Sequence, residues 1–521
     1  MKKRITLLPV ILFILLATNT AFAQITSEKI DLLMQDALTK FKVAGASIAI
    51  VKDGKVIHQK GYGVASVDTK KLVNENTNFQ IASNSKAFTT AALSILVDEG
   101  KLKWTDKVKD HLAEFKMYND YVTENFNIQD LLTHRSGLGL GVGDLMFFPD
   151  GSNFTIKDVM NSFQYFKPVS AFRTQFDYDN LLYIVAGELI ARTSGMSYEA
   201  FVQTRIVDAL QMSNTFVGSS LMKDKSNLAT PHSSESETVK TIVPFGDQIN
   251  GAAGGIFSNA ADMAKWAIVR LNKGKYGADL KSTLFSIENH EEMWRIHTVE
   301  ENHPSPRYNT HFRGYGLGWE IMDVKGNLKI SHTGGLPGML SLVELYPDQN
   351  LGIIILTNTE SGGAGLFSAV ANTISDSYLG LDDFGWTDKM VDWMKQDKNT
   401  GDDVTKKVWE KVKASKNVKI KNEDYIGIYA DKWFGKIEVF EKNKQLWFKS
   451  YRSPKLNGPM AFYNANSFAI KWEYQAMNGD ALAMFSLDEA GKAQSIKMKG
   501  ISPNIDFSFD FQDLDLQRVE K

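Results

Sequence analysis

The chain has 521 residues, 43% of them hydrophobic, and a formal net charge of −2. That length allows two or three domains around large cores, and the near balance of charge, with no dominant basic block, argues against nucleic acid as a partner. Cysteine is absent, which excludes disulfides, thiol catalysis, cysteine-based zinc sites and lipid attachment at an N-terminal cysteine.

Residues 1–23 read as a secretory leader. Lys2-Lys3-Arg4 is the charged start, Ile5 to Ala17 the apolar stretch, and Ala21-Phe22-Ala23 a small-x-small cleavage site before Gln24. The apolar run is short for a membrane span, and no later segment is long and apolar enough to cross a bilayer. The expectation is an exported, periplasmic or secreted protein with no integral span after cleavage. Ser27 to Phe41 follows as an amphipathic helix carrying Ile30, Leu33, Ala37 and Leu38 on one face. Ala46–Val51 and Lys55–Gln59 flank Asp53-Gly54, a hairpin signal.

Phe79, Ile81 and Ala82 then lead into Ser83-Asn84-Ser85-Lys86. Ala87, Ala91, Leu93, Leu96 and Val97 recur at helical spacing, and Glu99-Gly100 closes that helix. Ser83 thus sits at or near a helix N-terminus with Lys86 one turn on, on the same face. An amine there can take a hydroxyl proton, and the free N–H groups of the helix start can stabilise an oxyanion. Residues 83 to about 275 read as mostly helical. Extended segments return at 315–322, 327–332, 339–346 and 351–357, an order that implies an antiparallel sheet built from both ends of one domain, with the helical region inserted between its strands.

Residues 386–421 become rich in Lys, Glu and Asp and read as a charged, solvated helical linker broken at Asn399-Thr400-Gly401-Asp402-Asp403. From Tyr425, short strands are expected at 436–441, 445–450, 467–474, 481–487, 493–499 and 506–511, which suggests a small β-barrel or sandwich. Trp433, Phe434, Trp447 and Trp472 suit its core and rim better than a ligand cage.

Ser-x-x-Lys alone is a weak motif, and a second copy, Ser220 to Lys223, lies in a polar stretch without a strand-to-helix setting. Two further motifs strengthen the first copy. Tyr178-Asp179-Asn180 supplies a Tyr-x-Asn, and His332-Thr333-Gly334-Gly335 follows an apolar strand. In this order the three motifs resemble those of the serine β-lactamase and penicillin-binding-protein superfamily, in its class C-like branch of peptidases and esterases. Leu131 to Leu138, Ala253 to Ser258 and Gly314 to Trp319 agree with that resemblance, which covers roughly residues 27–380. The resemblance implies an α+β fold: a five-stranded antiparallel sheet flanked by terminal helices, an all-helical lobe, and an active site between them. The C-terminal strands resemble the small, all-β lipocalin-like domain that often follows such hydrolases. The expected organisation is a leader over 1–23, a hydrolase domain over 24–385, a linker over 386–421 and a barrel over 422–521.

The residues then take expected roles. Ser83 is the nucleophile and Lys86 its base, its pKa lowered by partial burial. Tyr178 is the second catalytic candidate; a phenol needs a nearby cation to act as a base, and Lys86 would supply it. Asn180, His332, Thr333 and Gly334 bind substrate, with a helix N-cap as the plainer role for Asn180. By resemblance, the Gly335 and Ser83 backbone N–H groups form the oxyanion hole. His332 stands where many relatives have lysine, and a His titrating near its ordinary pKa would be a weak partner for a substrate carboxylate. His134 reads as a structural loop residue. No His-Glu-x-x-His or nucleotide-binding glycine motif occurs, so no metal or cofactor is expected.

The reading is an exported serine hydrolase acting on a small peptide or ester through an acyl-enzyme, able to form a homo-oligomer. The alternative is a catalytically weak protein of the same fold that binds or senses β-lactams or peptides.

Overall fold

The computed structural model describes residues 24–519 apart from 235–237, 247–248 and 476–477; the expected leader lies outside the described residues. Helix α1 (Ser27–Lys40) starts on a Thr26 cap that accepts the Lys29 N–H. The hairpin of β1 (Gly45–Lys52) and β2 (Lys55–Gly63) follows. The chain then leaves the sheet for the helical lobe, which contains α2 (Ser85–Asp98), α3 (Asn180–Ser194) and α4 (Ala260–Leu271). It returns through β3 (Thr298–Val299), β4 (Arg313–Tyr315), β5 (Glu320–Val324), β6 (Asn327–Leu336), β7 (Met339–Tyr346) and β8 (Leu351–Thr357).

These strands form one antiparallel sheet in the order β3-β4-β5-β6-β7-β8-β1-β2. The N-terminal hairpin is therefore sewn onto the last strand, with Ile48 opposite Ile355 and Ile50 opposite Ile353. This is the insertion topology expected from the sequence. The sheet has eight strands rather than the expected five: the short β3 and β4 extend one edge of a six-stranded core formed by β5–β8 and the β1–β2 hairpin.

Both faces of the central strands are buried, so the two-residue period divides them between two cores. Ile48, Ile50, Ile353 and Ile355 face α1 and α5 (Gly362–Tyr378). Ala49, Val51, Ile354 and Leu356 face α4 and the lobe, where Phe88 stacks on Trp266 at 4.1 Å.

Helix α6 (Trp386–Ala414) is one uninterrupted element. The break expected at 399–403 is absent. Lys398 and Asp402 pair one turn apart at 2.8 Å, and Gly401 lies against Asn504, whose side chain would meet an added Cβ at 2.8 Å. The remaining strands, β9 (Gly427–Asp431), β10 (Gly435–Lys442), β11 (Gln445–Ser450), β12 (Asn457–Asn464), β13 (Ser467–Ile470), β14 (Ala481–Leu487), β15 (Ala493–Gly500) and β16 (Leu516–Val519), close into a barrel through β9 and β16. Residues 506–511 are not the expected strand. The Phe509 N–H bonds the Asp506 carbonyl, a 3₁₀ turn follows at Phe511–Asp513, and the segment lies against the lobe.

The barrel is docked by specific contacts. Arg452 lies over the Phe154 ring at 3.8 Å and forks onto Asp158 at 2.9 and 3.1 Å. Lys455 pairs with Asp150 at 2.6 Å. Trp433 packs on Phe166 and Phe434 on Phe154, so these two aromatics serve the interface.

Arg452→Ala removes the fork and the ring contact together, an expected loss of about 1–2 kcal/mol of docking energy for a partly exposed charged pair. We expect faster tryptic cleavage at the exposed Lys416, Lys419 and Lys421, read as earlier release of a barrel fragment. Wild-type cleavage kinetics would show that Arg452 does not hold the barrel.

Candidate active site

Ser83 lies in a 3₁₀ turn (Ala82–Asn84) immediately before α2, where the chain leaves the short strand Phe79–Gln80. Ala82 adopts a left-handed backbone, φ 48°, unusual for a residue with a side chain. The turn is pinned from the sheet. The Ser341 hydroxyl donates to the Ile81 carbonyl at 2.7 Å and accepts from Asn84 Nδ2 at 2.8 Å. Gly334 on β6 lies so close that an added Cβ would sit 2.2 Å from the Ile81 carbonyl oxygen.

Lys86, one turn on, is fully buried. Its Nζ lies 2.9 Å from Ser83 Oγ, 2.7 Å from Asn180 Oδ1 and 3.0 Å from the Ala253 carbonyl. Burial pushes its pKa down to about 7 against the opposing pull of Asp144 and Asp179. The neutral amine has two N–H groups and one lone pair. Asn180 Oδ1 and the Ala253 carbonyl can only accept, so they take the two N–H groups. The lone pair is left facing Ser83, the one partner that can donate.

Asn180 is oriented by its second contact, as Nδ2 donates to Asp144 Oδ2 at 2.8 Å. The N-cap of α3 is Asp179, which accepts the Leu182 N–H, and Asn180 is the first helical residue. Both of its amide groups are engaged within the protein.

Tyr178 lines the cleft above Lys86, whose Nζ is 4.8 Å from its ring centroid. The field of Lys86 does not lower this phenol. Burial, with Tyr183, Glu320 and Asp144 nearby, pushes its pKa well up, opposed by a hydrogen bond with Ser83. Tyr178 is therefore a phenol at rest, suited to passing a proton on rather than starting as the base.

His332 is buried between Tyr315 and its own backbone. Nδ1 lies 2.6 Å from the Thr333 carbonyl, which can only accept, so Nδ1 carries the proton and Nε2 accepts from the Tyr315 hydroxyl at 2.8 Å. Burial, and then Lys86, push its pKa down to about 3. The expectation that His332 titrates near neutrality is thus overturned, because both ring nitrogens are spent on neutral partners away from solvent. Thr333 is exposed to the cleft and Gly335 lines the same wall.

His134 is buried under Tyr178, ring centroids 4.1 Å apart, and its Nδ1 accepts the Asp179 N–H. It braces the start of α3. Ser220 lies in a turn with no helix after it.

The cleft holds about 400 Å³. Its walls bring together Ser83, Tyr178, Asn180, His332, Thr333, Gly334 and Gly335, with Lys86 beneath them. Sequence reasoning missed Asp144, Tyr315, Ser341 and the barrel residues Asp506, Phe507 and Ser508, which also reach the site. The run Gly139-Leu140-Gly141-Val142-Gly143-Asp144 was the visible signal for the first of these. The barrel residues had no local signal.

An antiparallel sheet with an inserted helical lobe and a Ser–Lys pair at their seam defines the serine β-lactamase and penicillin-binding-protein architecture. The chain belongs to the β-lactamase family, whose model matches residues 30–372. Residues 413–518 match a domain of unknown function, DUF3471. The chain is similar to protein flp of Staphylococcus aureus (strain MW2), 27% identical over 340 residues, covering 64% of each chain. It thus spans less than two thirds of that relative's length. It is also 28% identical over 386 residues to the unguisins hydrolase ungD of Aspergillus violaceofuscus, covering 69% of this chain and 67% of that one. Among solved structures, the octameric penicillin-binding protein homologue from Pyrococcus abyssi shares the fold with a TM-score of 0.58 at 21% identity, covering 92% of this chain and 98% of that one.

Gly334→Ala forces β6 away from the Ser83 turn, since the obstructing atom is backbone. A displacement near 1 Å can cost about 10²-fold in rate, and we expect a loss of that order in phosphonylation of Ser83 by a fluorophosphonate, which displaces fluoride. Gly335→Ala, whose nearest new neighbour is a Leu340 methyl at 3.4 Å, is expected to meet no such steric barrier. Equal effects of the two substitutions would show that close approach is not what Gly334 provides.

Proposed function

We propose that this protein is an exported serine hydrolase that cleaves an amide or ester bond in a small peptide or ester through an acyl-enzyme on Ser83. One observation carries the reading: Lys86 is buried, poised near neutrality, and held by two acceptors that leave its lone pair facing Ser83 Oγ. Ser83 attacks the carbonyl as Lys86 takes its proton. The backbone N–H groups of Ser83 and Gly335 receive the oxyanion, while Tyr178 relays a proton to the leaving group. Water then enters by the reverse route. Thr333 and the glycine wall bind the substrate backbone. Asn180 acts mainly by orienting Lys86. Similarity to an unguisins hydrolase supports hydrolysis as the outcome and weighs against a purely sensory protein.

The substrate reading follows from charge. His332 is neutral, Lys86 is withdrawn below the surface, and Arg313, the cation among the described lining residues, is paired with Glu300 at 2.9 Å and Glu320 at 3.5 Å. A substrate carboxylate finds no unpaired cation there. This favours peptidase or esterase chemistry on uncharged groups over efficient β-lactam hydrolysis. Export rests on the leader-like residues 1–23, and homo-oligomerisation on the octameric homologue.

A fluorophosphonate is expected to form an adduct on Ser83 that Ser83→Ala abolishes. Lys86→Ala should cost on the order of 10²–10⁴-fold. Lys86 works as the base only when unprotonated, so kcat/KM for a neutral p-nitrophenyl ester should rise through an acid limb near pH 7. An adduct elsewhere, or a flat profile from about pH 5 to 9, would overturn the assignment.

The selectivity ratio between a carboxylate-bearing ester and its neutral counterpart should show no step from His332, whose pKa lies near 3. A ratio that climbs as pH falls through about 6.5, and loses that climb in His332→Gln, would show that the imidazole charges in the cleft.

A further inference from the structure

The barrel loop that was expected to be a strand instead enters the active site. Asp510, fully buried, accepts the Gly143 N–H at 2.6 Å and the Leu145 N–H at 2.9 Å. These contacts bracket Asp144, itself fully buried at the start of a 3₁₀ turn (Asp144–Met146). Ser508 Oγ donates to Asp144 Oδ2 at 2.8 Å, the same oxygen that takes Asn180 Nδ2. Phe507 crosses Tyr178 edge to face, centroids 5.8 Å apart. Three hydrogen bonds therefore run without interruption from the barrel to the amine, through Ser508, Asp144, Asn180 and Lys86.

We propose that the C-terminal barrel is a working part of the hydrolase site: Ser508 and Asp144 are positioning residues that hold Asn180, and through it the Lys86 amine, toward Ser83. This rests on the Ser83–Lys86 reading above and extends it to the second domain. Each link is a hydrogen bond between buried groups, where a lost partner leaves a polar atom stranded. The geometry also explains why both amide groups of Asn180 are occupied. The Asn180 carbonyl can hold the amine only while its NH₂ group is anchored.

The chain of contacts has an electrostatic consequence with a definite sign. Burial raises the Asp144 pKa to about 7, and the Ser508 hydrogen bond opposes that rise by favouring the carboxylate. A carboxylate at Asp144 in turn favours the charged form of Lys86. Asp144→Asn keeps an acceptor for Asn180 but removes the charge, so the Lys86 pKa should fall. Ser508→Ala raises the Asp144 pKa, so the Lys86 pKa should fall less. The other titratable groups around Lys86 are Asp179, Tyr178 and Tyr183 at the start of α3, His134, His332 on β6, Tyr315 and Glu320 on β4 and β5, and Asp506 and Asp510 on the barrel. None is substituted in these variants; Ser508 also favours the Asp506 carboxylate, whose influence on Asp144 is smaller than that of the lost Ser508 hydrogen bond.

Two readouts test the proposal in the full chain. The first follows Lys86 directly by NMR of [ε-¹³C]lysine-labelled protein, assigned with Lys86→Arg. Its titration midpoint should descend in the order wild type, Ser508→Ala, Asp144→Asn. The second is the pH profile of ester hydrolysis. The acid limb should move to lower pH in the same order, while Asp144→Ala, which also frees Asn180, lowers the plateau of kcat at least 10-fold with KM within about 2-fold. Gln512→Ala, at an exposed position of the same segment outside the cleft lining, serves as a folded control for damage to the loop alone. A Lys86 midpoint identical in all three proteins overturns the proposal. If the wild type forms no adduct at Ser83, the hydrolase reading fails instead, and the Lys86 resonance still decides whether the barrel is coupled to the amine.

Discussion

The organisation of this protein depends on one buried amine. Lowering a lysine from its ordinary value near 10.5 to about 7 disfavours the charged form by roughly 5 kcal/mol. Only burial does this here, since the neighbouring carboxyls pull the other way. A fixed carboxylate in direct contact would hold the proton on Lys86 and prevent the role of base proposed for it. Its direct partners are instead an amide, a backbone carbonyl and a hydroxyl. The carboxyl nearest in the network, Asp144, is kept one amide away and is itself pushed toward neutrality. The same dry surroundings keep His332 and His134 uncharged and Tyr178 protonated. The cleft presents oriented dipoles more than net charge, which suits a developing oxyanion better than a charged ground-state ligand.

The fold supplies that environment by closing a seam. The Ser83–Lys86 pair is local, set by one turn of chain, but its supports come from distant segments. Ser341 and Gly334 on the sheet fix the turn, while Asn180 and Ala253 on the lobe fix the amine. Sheet and lobe are joined by insertion, with β1 paired to β8 across some three hundred residues. Neither half could position the pair alone.

Legibility in the sequence followed physical range. Ser83-x-x-Lys86, the Asp53-Gly54 hairpin and the α1 face were readable because their signals are periodic or local. The two-ended sheet was readable because apolar runs stood at both ends of an otherwise helical stretch. Strands β3 and β4 were too short to announce themselves in full. The alternation of Asp506, Ser508 and Asp510 with Phe507, Phe509 and Phe511 looks like a strand. Its carboxylates bond to backbone and hydroxyl groups of the lobe and its own turn instead of flanking a ladder, and nothing local distinguishes the two. The depressed titration of His332 and the protonated Tyr178 were not legible for one reason: burial is a tertiary property, and residue type alone suggests ordinary titration.

The lobe segment from Gly139 to Gly143 shows why a second domain belongs at this site. Gly141 and Gly143 both take positive φ, and an added Cβ on Gly143 would collide with Leu181. Such a run packs closely but orders itself poorly, since glycine loses more conformational freedom than any other residue. It nonetheless carries Asp144, whose position must be good to tenths of an ångström to hold Asn180. The lobe provides close packing beneath this run. The barrel provides what the lobe lacks, two buried N–H contacts through Asp510 and a wall at Phe507 against which Gly141 abuts. Rigid docking by Arg452 and Lys455 makes these contacts dependable, because a loop can order a neighbour only if its own base is fixed. The barrel thus does for the glycine run what Ser341 does for the Ser83 turn: it fixes, from outside, a backbone conformation that its own residues would not hold.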